Sequence, residues 1–362
     1  MGVVSAPRRP STFTVSDLIV VGGSVLLIIV AGLTRFAHAG AVPAFLCSGL
    51  AVALLAALVG RSVEQLGDRF GAGATGVLQS ALGNLPELFI ALFALKAGLV
   101  MVVQAALIGS ILANLLLVLG LAFTVGGLRH GPQNIDSQRA RATTVLMLLA
   151  VASMLVPSLA SYVHTPAAPH EDAVSLAVAV ILLALFAVTL PASLKSKPSG
   201  DAAEQHEPPR WPLPLALALL AGAALAAAFV SEWFVHALEP AMHALHISDA
   251  FAGLVIVAIA GNAVENVVGI QLAAKNRSEY AFSVVINSPL QIALVLAPVL
   301  VILSRLFGFA PLTLAFPPML VAAVAIAVLV TAFITFDGES DWGEGVSLLA
   351  LYAIIATAFW WG

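Results

Sequence analysis

Eleven stretches of this chain consist almost wholly of apolar side chains, at about 17–34, 41–60, 73–95, 99–126, 142–162, 172–194, 212–236, 249–273, 281–304, 311–335 and 345–361. Short segments holding most of the Gly, Pro and charged residues separate them. An apolar run of about 18 residues or more, wound as an α-helix, crosses the hydrocarbon core of a bilayer. The pattern therefore predicts an all-α integral membrane protein with eleven transmembrane helices. The first run follows Arg8 and Arg9 and ends near Ala37-His38-Ala39, as a cleaved signal peptide would. It reads instead as a retained helix, because the chain turns apolar again at once. Composition agrees: 61% of residues are hydrophobic and 9% charged, where soluble domains carry about 25% charged residues. Mean hydropathy is +1.05. A net charge of −4 gives no support to a nucleic-acid partner. The single cysteine, Cys47, rules out an intramolecular disulfide and reads as a packing residue.

Basic residues concentrate on the cytoplasmic side of membrane proteins. With a cytoplasmic N-terminus, 12 of the 15 Lys and Arg fall in inner segments and only Arg35, Lys96 and Arg305 in outer ones. The N-terminus is therefore expected inside and the C-terminus outside. The segment KSKPSGDAAEQHEPPR at 195–210 is polar and rich in Pro and Gly, and reads as a cytoplasmic linker. Domain boundaries follow: 1–40 with the first helix, 41–194 with five helices, the linker at 195–211, and 212–362 with five more. Five is odd, so the second set enters the membrane in the opposite sense, which is the arithmetic of an inverted repeat. Shifting the chain by 178 residues brings Gly83, Asn84 and Glu87 onto Gly261, Asn262 and Glu265, and Ser110 onto Ser288.

The superimposed motif is GNxxE: GNLPEL at 83–88 and GNAVEN at 261–266, each inside an apolar run. A carboxylate at membrane depth is costly and marks a functional site. No Lys or Arg lies near either glutamate in sequence; Lys96 and Lys275 stand at helix ends, where they can snorkel. A mutual pair is the better reading, with Glu87 and Glu265 facing each other. Two such carboxylates in a dry site cannot both ionise without a cation between them. Asn84 and Asn262 offer amide oxygens one turn earlier, and Gly83 and Gly261 allow close backbone approach. Pro86 is expected to break the helix and free a carbonyl oxygen beside the site. Carboxylate, amide and carbonyl oxygens suit a hard cation such as Ca²⁺, and the absence of clustered Cys or His argues against a soft metal.

A second constellation follows each motif. VVQAALIGSILANLLLVLG at 102–120 carries Gln104, Ser110 and Asn114; VVINSPLQIALVLAP at 284–298 carries Asn287, Ser288 and Gln291. Ser110, Ser288, Gln104 and Gln291 are candidate cation ligands, with helix packing as the alternative. Glu64, Glu232 and Glu239 flank the repeats near helix ends, as solvated charges or as vestibules that gather cations. The acidic loop 337–345 reads as a solvated loop, and its sequence is not that of an EF-hand.

GNLPELFIALFALKAGLVMVVQAALIGSILANLLLVLG resembles the first signature repeat of the Ca²⁺/H⁺ exchanger family within the Ca²⁺:cation antiporter superfamily, and GNAVEN…NSPLQIALVLAPVLV resembles the second. The flanking stretches 62–84 and 231–248 agree, so the resemblance spans about 41–335. It implies an eleven-helix fold, one N-terminal helix plus two halves, with Ca²⁺ held between the two glutamates and exchanged for protons. Three positions depart from the family pattern: Asn266 stands where the second Glu is usually followed by His, Asn287-Ser288 replaces Gly-Ser and leads into a turn at Pro289, and Ala113 replaces Ser. The expected function is cation/proton antiport by alternating access, with Ca²⁺ and H⁺ as partners and competitors for Glu87 and Glu265, and no cofactor. A Na⁺ or K⁺/H⁺ antiporter on the same scaffold and a passive cation channel are the rivals. No enzymatic motif is evident. The expected setting is a lipid bilayer, taken as a bacterial inner membrane.

Overall fold

The computed structural model describes residues 13–37, 39–70, 82–195 and 209–361, with the side chains of 67–70, 138–139, 190–195 and 263–266 outside that description. The chain is overwhelmingly helical. Twelve helices are described: α1 (Val15–Phe36), α2 (Ala41–Phe70), α3 (Leu85–Lys96), α4 (Val100–His130), α5 (Ser137–Tyr162), α6 (Glu171–Lys195), α7 (Leu213–Leu245), α8 (Asp249–Gly261), α9 (Ala263–Ala274), α10 (Ser278–Leu306), α11 (Pro318–Ile334) and α12 (Trp342–Ala358). Seven of the described helices are long and apolar enough to cross a membrane, and α8, α11 and α12 are shorter apolar helices. The polar linker expected at 195–211 lies mostly outside the described residues.

Several helices are interrupted with no obvious warning in their residues. In α4, Ala113–Val118 forms a π-turn; in α10, Ile292–Leu296 does the same; in α8, Ala252–Val257 does. A π-turn holds one residue more than an α-helical turn and commonly marks a functional site. Pro289 was expected in a turn, yet it lies inside α10, three residues before the π-turn begins. The GNxxE breaks also differ in cause from the expectation. Asn84 (φ −93°, ψ 18°) precedes α3, and Asn262 (φ −93°, ψ 21°) precedes α9, with nearly the same backbone. Only the first motif contains a proline, and Pro86 sits in the first turn of α3, where its missing N–H costs nothing. The Gly-Asn pair, common to both, makes the break.

The expected tenth span began at 311, whereas α11 starts at Pro318. The intervening stretch is extended, with Leu312, Leu314 and Phe316 fully buried on one face. Pro311, Pro317 and Pro318 set its ends. Backbone outside helix and sheet must find partners for its polar groups, and side chains of the surrounding helices supply them. Ser304, Ser175 and Ser158 hydroxyls accept the N–H groups of Leu312, Leu314 and Phe316 at 3.1, 2.9 and 2.9 Å. Gln104 Nε2 donates to the carbonyls of Thr313 and Ala315, and Arg305 Nη1 to that of Leu312. One two-residue antiparallel pair, Gln133–Asn134 with Glu339–Ser340, is the only sheet pairing among the described residues.

Long helices α2 and α7 pack along one another, with α1 against them. Helices α4 and α8 cross so closely that a Cβ on Gly109 would strike the Leu254 backbone and one on Gly253 the Val102 carbonyl. Contacts between connecting segments sort the molecule into two ends. Arg61 and Arg210 meet Asp17 at one, and Ser278 meets Asn134 there too; Lys96 with Glu232, Arg305 with Asp172 and Ser248 with Phe359 meet at the other.

Candidate functional site

The two Gly-Asn breaks place Glu87 and Glu265 at the same position, the third residue of α3 and of α9. An acid in a first turn faces the positive end of the helix dipole. Glu87 is buried. Its side chain lies on Gly261, where a Cβ would stand 2.5 Å from Glu87 Cγ and 3.1 Å from Oε1. The two motifs, 178 residues apart in sequence, thus meet directly. The side chains of Glu265 and Asn266 lie outside the described residues.

Beside this contact, α4, α9 and α10 contribute a buried polar network. Asn262 Nδ2 donates to Ser110 Oγ at 2.8 Å and to the Ala258 carbonyl at 2.9 Å. Asn114 Nδ2 donates to Asn262 Oδ1 at 2.9 Å and lies 3.3 Å from Ser288 Oγ. The Ser288 hydroxyl donates to Asn262 Oδ1 at 3.4 Å. Asn114 and Asn262 are both fully buried. Buried amides left unsatisfied are expensive, so a network of this kind fixes side-chain orientation. Asn114 was named in the sequence only as a member of the second constellation; here it links Ser110, Asn262 and Ser288. Its position four residues after Ser110, on the same helix face, was the available signal. At the 178-residue offset its counterpart is Ile292, so this asparagine has no repeat partner.

A narrow pocket begins at Glu87 and Ser110 and extends along Ala91, Ala94, Val102 and Leu107 toward the Lys96 end. Its remaining walls include Val257 and Leu296. In the other half, Gly269, Val285 and Val118 occupy the positions equivalent to Ala91, Leu107 and Leu296. At Gly269 the packing is close: a Cβ there would run into Val285 and stand 3.3 Å from Val118 Cγ1.

The remaining candidates are placed differently. Asn84 is buried at the first break and Gly83 beside it. Gln104 is occupied with the extended segment rather than with the Asn114 network. Gln291 is half-buried at the residue before the π-turn of α10, with no hydrogen bond to the network among the described residues. Glu64 and Glu239 are exposed on α2 and α7, and Glu232 stands 3.9 Å from Lys96. In the acidic loop, Asp341 and Glu344 form a capping box for α12, worth about 1 kcal/mol. The geometry assembles, around one buried carboxylate, the hydroxyl and amide oxygens that a hard cation or a proton-bearing network would use.

Comparison with known proteins agrees with this geometry. The family described as sodium/calcium exchanger protein matches residues 40–195 and 215–361. The Ca²⁺/H⁺ antiporter of Aphanothece halophytica is 36% identical over 93% of this chain and 95% of its own length. The Ca²⁺/H⁺ antiporter ChaA of Bacillus subtilis is 37% identical over 84% of this chain and 88% of its own. The solved structure of native YfkE superposes with a TM-score of 0.81 at 32% identity, covering 95% of this chain and 99% of that one. The chain belongs to the sodium/calcium exchanger protein family, with Ca²⁺/H⁺ antiporters among its curated relatives.

Proposed function

We propose that this protein is a secondary active Ca²⁺/H⁺ antiporter in which Glu87 and Glu265 form one site that takes either Ca²⁺ or protons. The contact of Glu87 with Gly261 carries the reading, because it brings the two glutamate motifs to a single point. Ca²⁺ would draw oxygens from the two carboxylates, from Ser110 and Ser288, and from Asn84 and Asn262. In the described network Asn262 turns its carbonyl toward Asn114, so Asn114 holds that ligand aside until a cation competes for it. An empty dianionic site is too costly to cross an occluded state, and this rule alone couples the two fluxes.

The architecture proposed is one N-terminal helix, α1, followed by two inverted five-span halves, in which α3 and α9 are each the second part of a broken span. Helix bounds support it: α3 and α9 begin and end 178 residues apart, and so do the starts of α4 and α10. The family match falls once in each half. The pocket beside Glu87, against the close packing at the equivalent Gly269, suits alternating access by two halves in opposite states. The Arg-rich end is assigned to the cytoplasm and the Lys96 end to the outside. The membrane is taken as a bacterial inner membrane.

The deciding experiment is flux in proteoliposomes under an imposed pH gradient, with Ca²⁺, Na⁺ and K⁺ offered separately. Ca²⁺ is expected to move with a proton counterflow, and Glu87→Gln is expected to abolish it while the protein still inserts. Flux of Na⁺ or K⁺ alone would move the assignment to a monovalent antiporter; flux without proton coupling would make it a channel.

A further inference from the structure

Among the described residues only two carboxylates are buried, Glu87 and Asp17. The proposed exchange uses the first and leaves the second without a role. Asp17 lies in the first turn of α1, outside both halves. Its Oδ1 stands 2.8 Å from Arg61 Nη1 on α2, and its Oδ2 stands 3.9 Å from Arg210 Nη2 at the entry to α7. One turn beyond Arg61, Gln65 Oε1 accepts the backbone N–H groups of Arg210 and Trp211 at 2.7 and 3.1 Å. The end of α2 and the start of α7 are therefore joined twice, and Asp17 is the piece that ties α1 to both.

We infer that Asp17 is a positioning residue: it clasps α2 to α7 at the Arg61 end and holds that end of the site shut. The clasp is one-sided. At the 178-residue offset, Arg61 and Gln65 correspond to Glu239 and His243 near the far end of α7, both exposed, and α1 has no counterpart there. The chain runs from the clasp along α7 and returns through α8 and α9, so Gly269 and Val285 lie in the half of the molecule nearer the clasp. The close packing at Gly269 is on that side, and the pocket beside Glu87 is on the unclasped one. Asp17 is buried while Arg61 and Arg210 are partly exposed; removing its charge leaves both arginines without their shared partner, so loss of Asp17 loosens two helices at once. The inference rests on the alternating-access reading above.

The test uses the full chain in proteoliposomes of known orientation, with Cys47→Ala and a reporter, Val285→Cys. The rate of modification by an impermeant maleimide is read from the Lys275 side. In this background, labelling is expected to differ between saturating Ca²⁺ and acid pH without Ca²⁺. If it does not, alternating access itself fails. Given that difference, Asp17→Asn is expected to speed labelling several-fold in both conditions, and Asp17→Arg with Arg61→Asp to restore the slow rate. Condition-dependent labelling that Asp17→Asn leaves unchanged overturns the clasp alone, and so does a fast rate that the exchanged pair does not slow. Should Asp17→Asn fail to insert, Arg210→Gln removes the α7 leg from its solvent side. It is expected to speed labelling in the same direction, and an unchanged rate there is equally decisive against the inference.

Discussion

A methyl group at position 261 would sit 2.5 Å from Glu87 Cγ, so Gly261→Ala must displace either the carboxylate or the backbone of the second motif. Overpacking of this kind costs about 1–3 kcal/mol, which predicts a loss of Ca²⁺-driven proton flux of about 5- to 150-fold. Gly222→Ala on α7, with nothing within 4 Å of its added Cβ, should leave flux unchanged; equal losses in both would remove the special place given to Gly261. Protonation belongs to the same scale. If Ca²⁺ and H⁺ share Glu87 and Glu265, acidifying the loading side should weaken apparent Ca²⁺ affinity while the maximal rate changes little. Asn266→His should add a titration near pH 6.5, roughly the ordinary imidazole value. A pH effect confined to the maximal rate would mean that the proton travels by another route.

Between residues and molecule stand the interrupted elements, and here sequence and structure part company. The long helices were legible because about 18 apolar residues in a row admit few other readings. The two motif breaks were legible in place but not in cause: Pro86 drew the eye, yet the second break has no proline. The π-turns gave no sign, since Leu, Val and Ile suit either turn. Residues 311–317 were read into a helix because hydrophobicity does not reveal who will partner a backbone N–H. Gln104 was read as a ligand for the same reason, when its partners are the carbonyls of Thr313 and Ala315. Asp17 was passed over because its partners lie 44 and 193 positions away. Ser158→Ala tests the extended segment. It strands the buried N–H of Phe316, and an unmade buried hydrogen bond costs about 1–3 kcal/mol. A lower thermal midpoint in detergent, with Ca²⁺ affinity unchanged, is the expected pair of readings; an unaltered midpoint would show that water or a neighbour takes the serine's place.

For the whole molecule, sidedness is the open quantity with the simplest test. Cysteines placed in 198–208 should react with impermeant reagent only from the cytoplasm, and cysteines in 163–170 only from outside. The reverse pattern would overturn the charge-based orientation while leaving the site geometry intact. Assembly follows from the strand that precedes α11. Its N–H and carbonyl groups are satisfied by Gln104, Ser158 and Ser175 from the first half, and by Ser304 and Arg305 from the second. During synthesis the first-half partners are already made when residues 311–317 emerge, so the ribosome delivers this segment into a waiting cradle. The second half cannot complete itself alone: expressed without the first, it would carry a strand whose polar backbone has no place at membrane depth, and quality-control proteolysis of the orphan half is the expected fate.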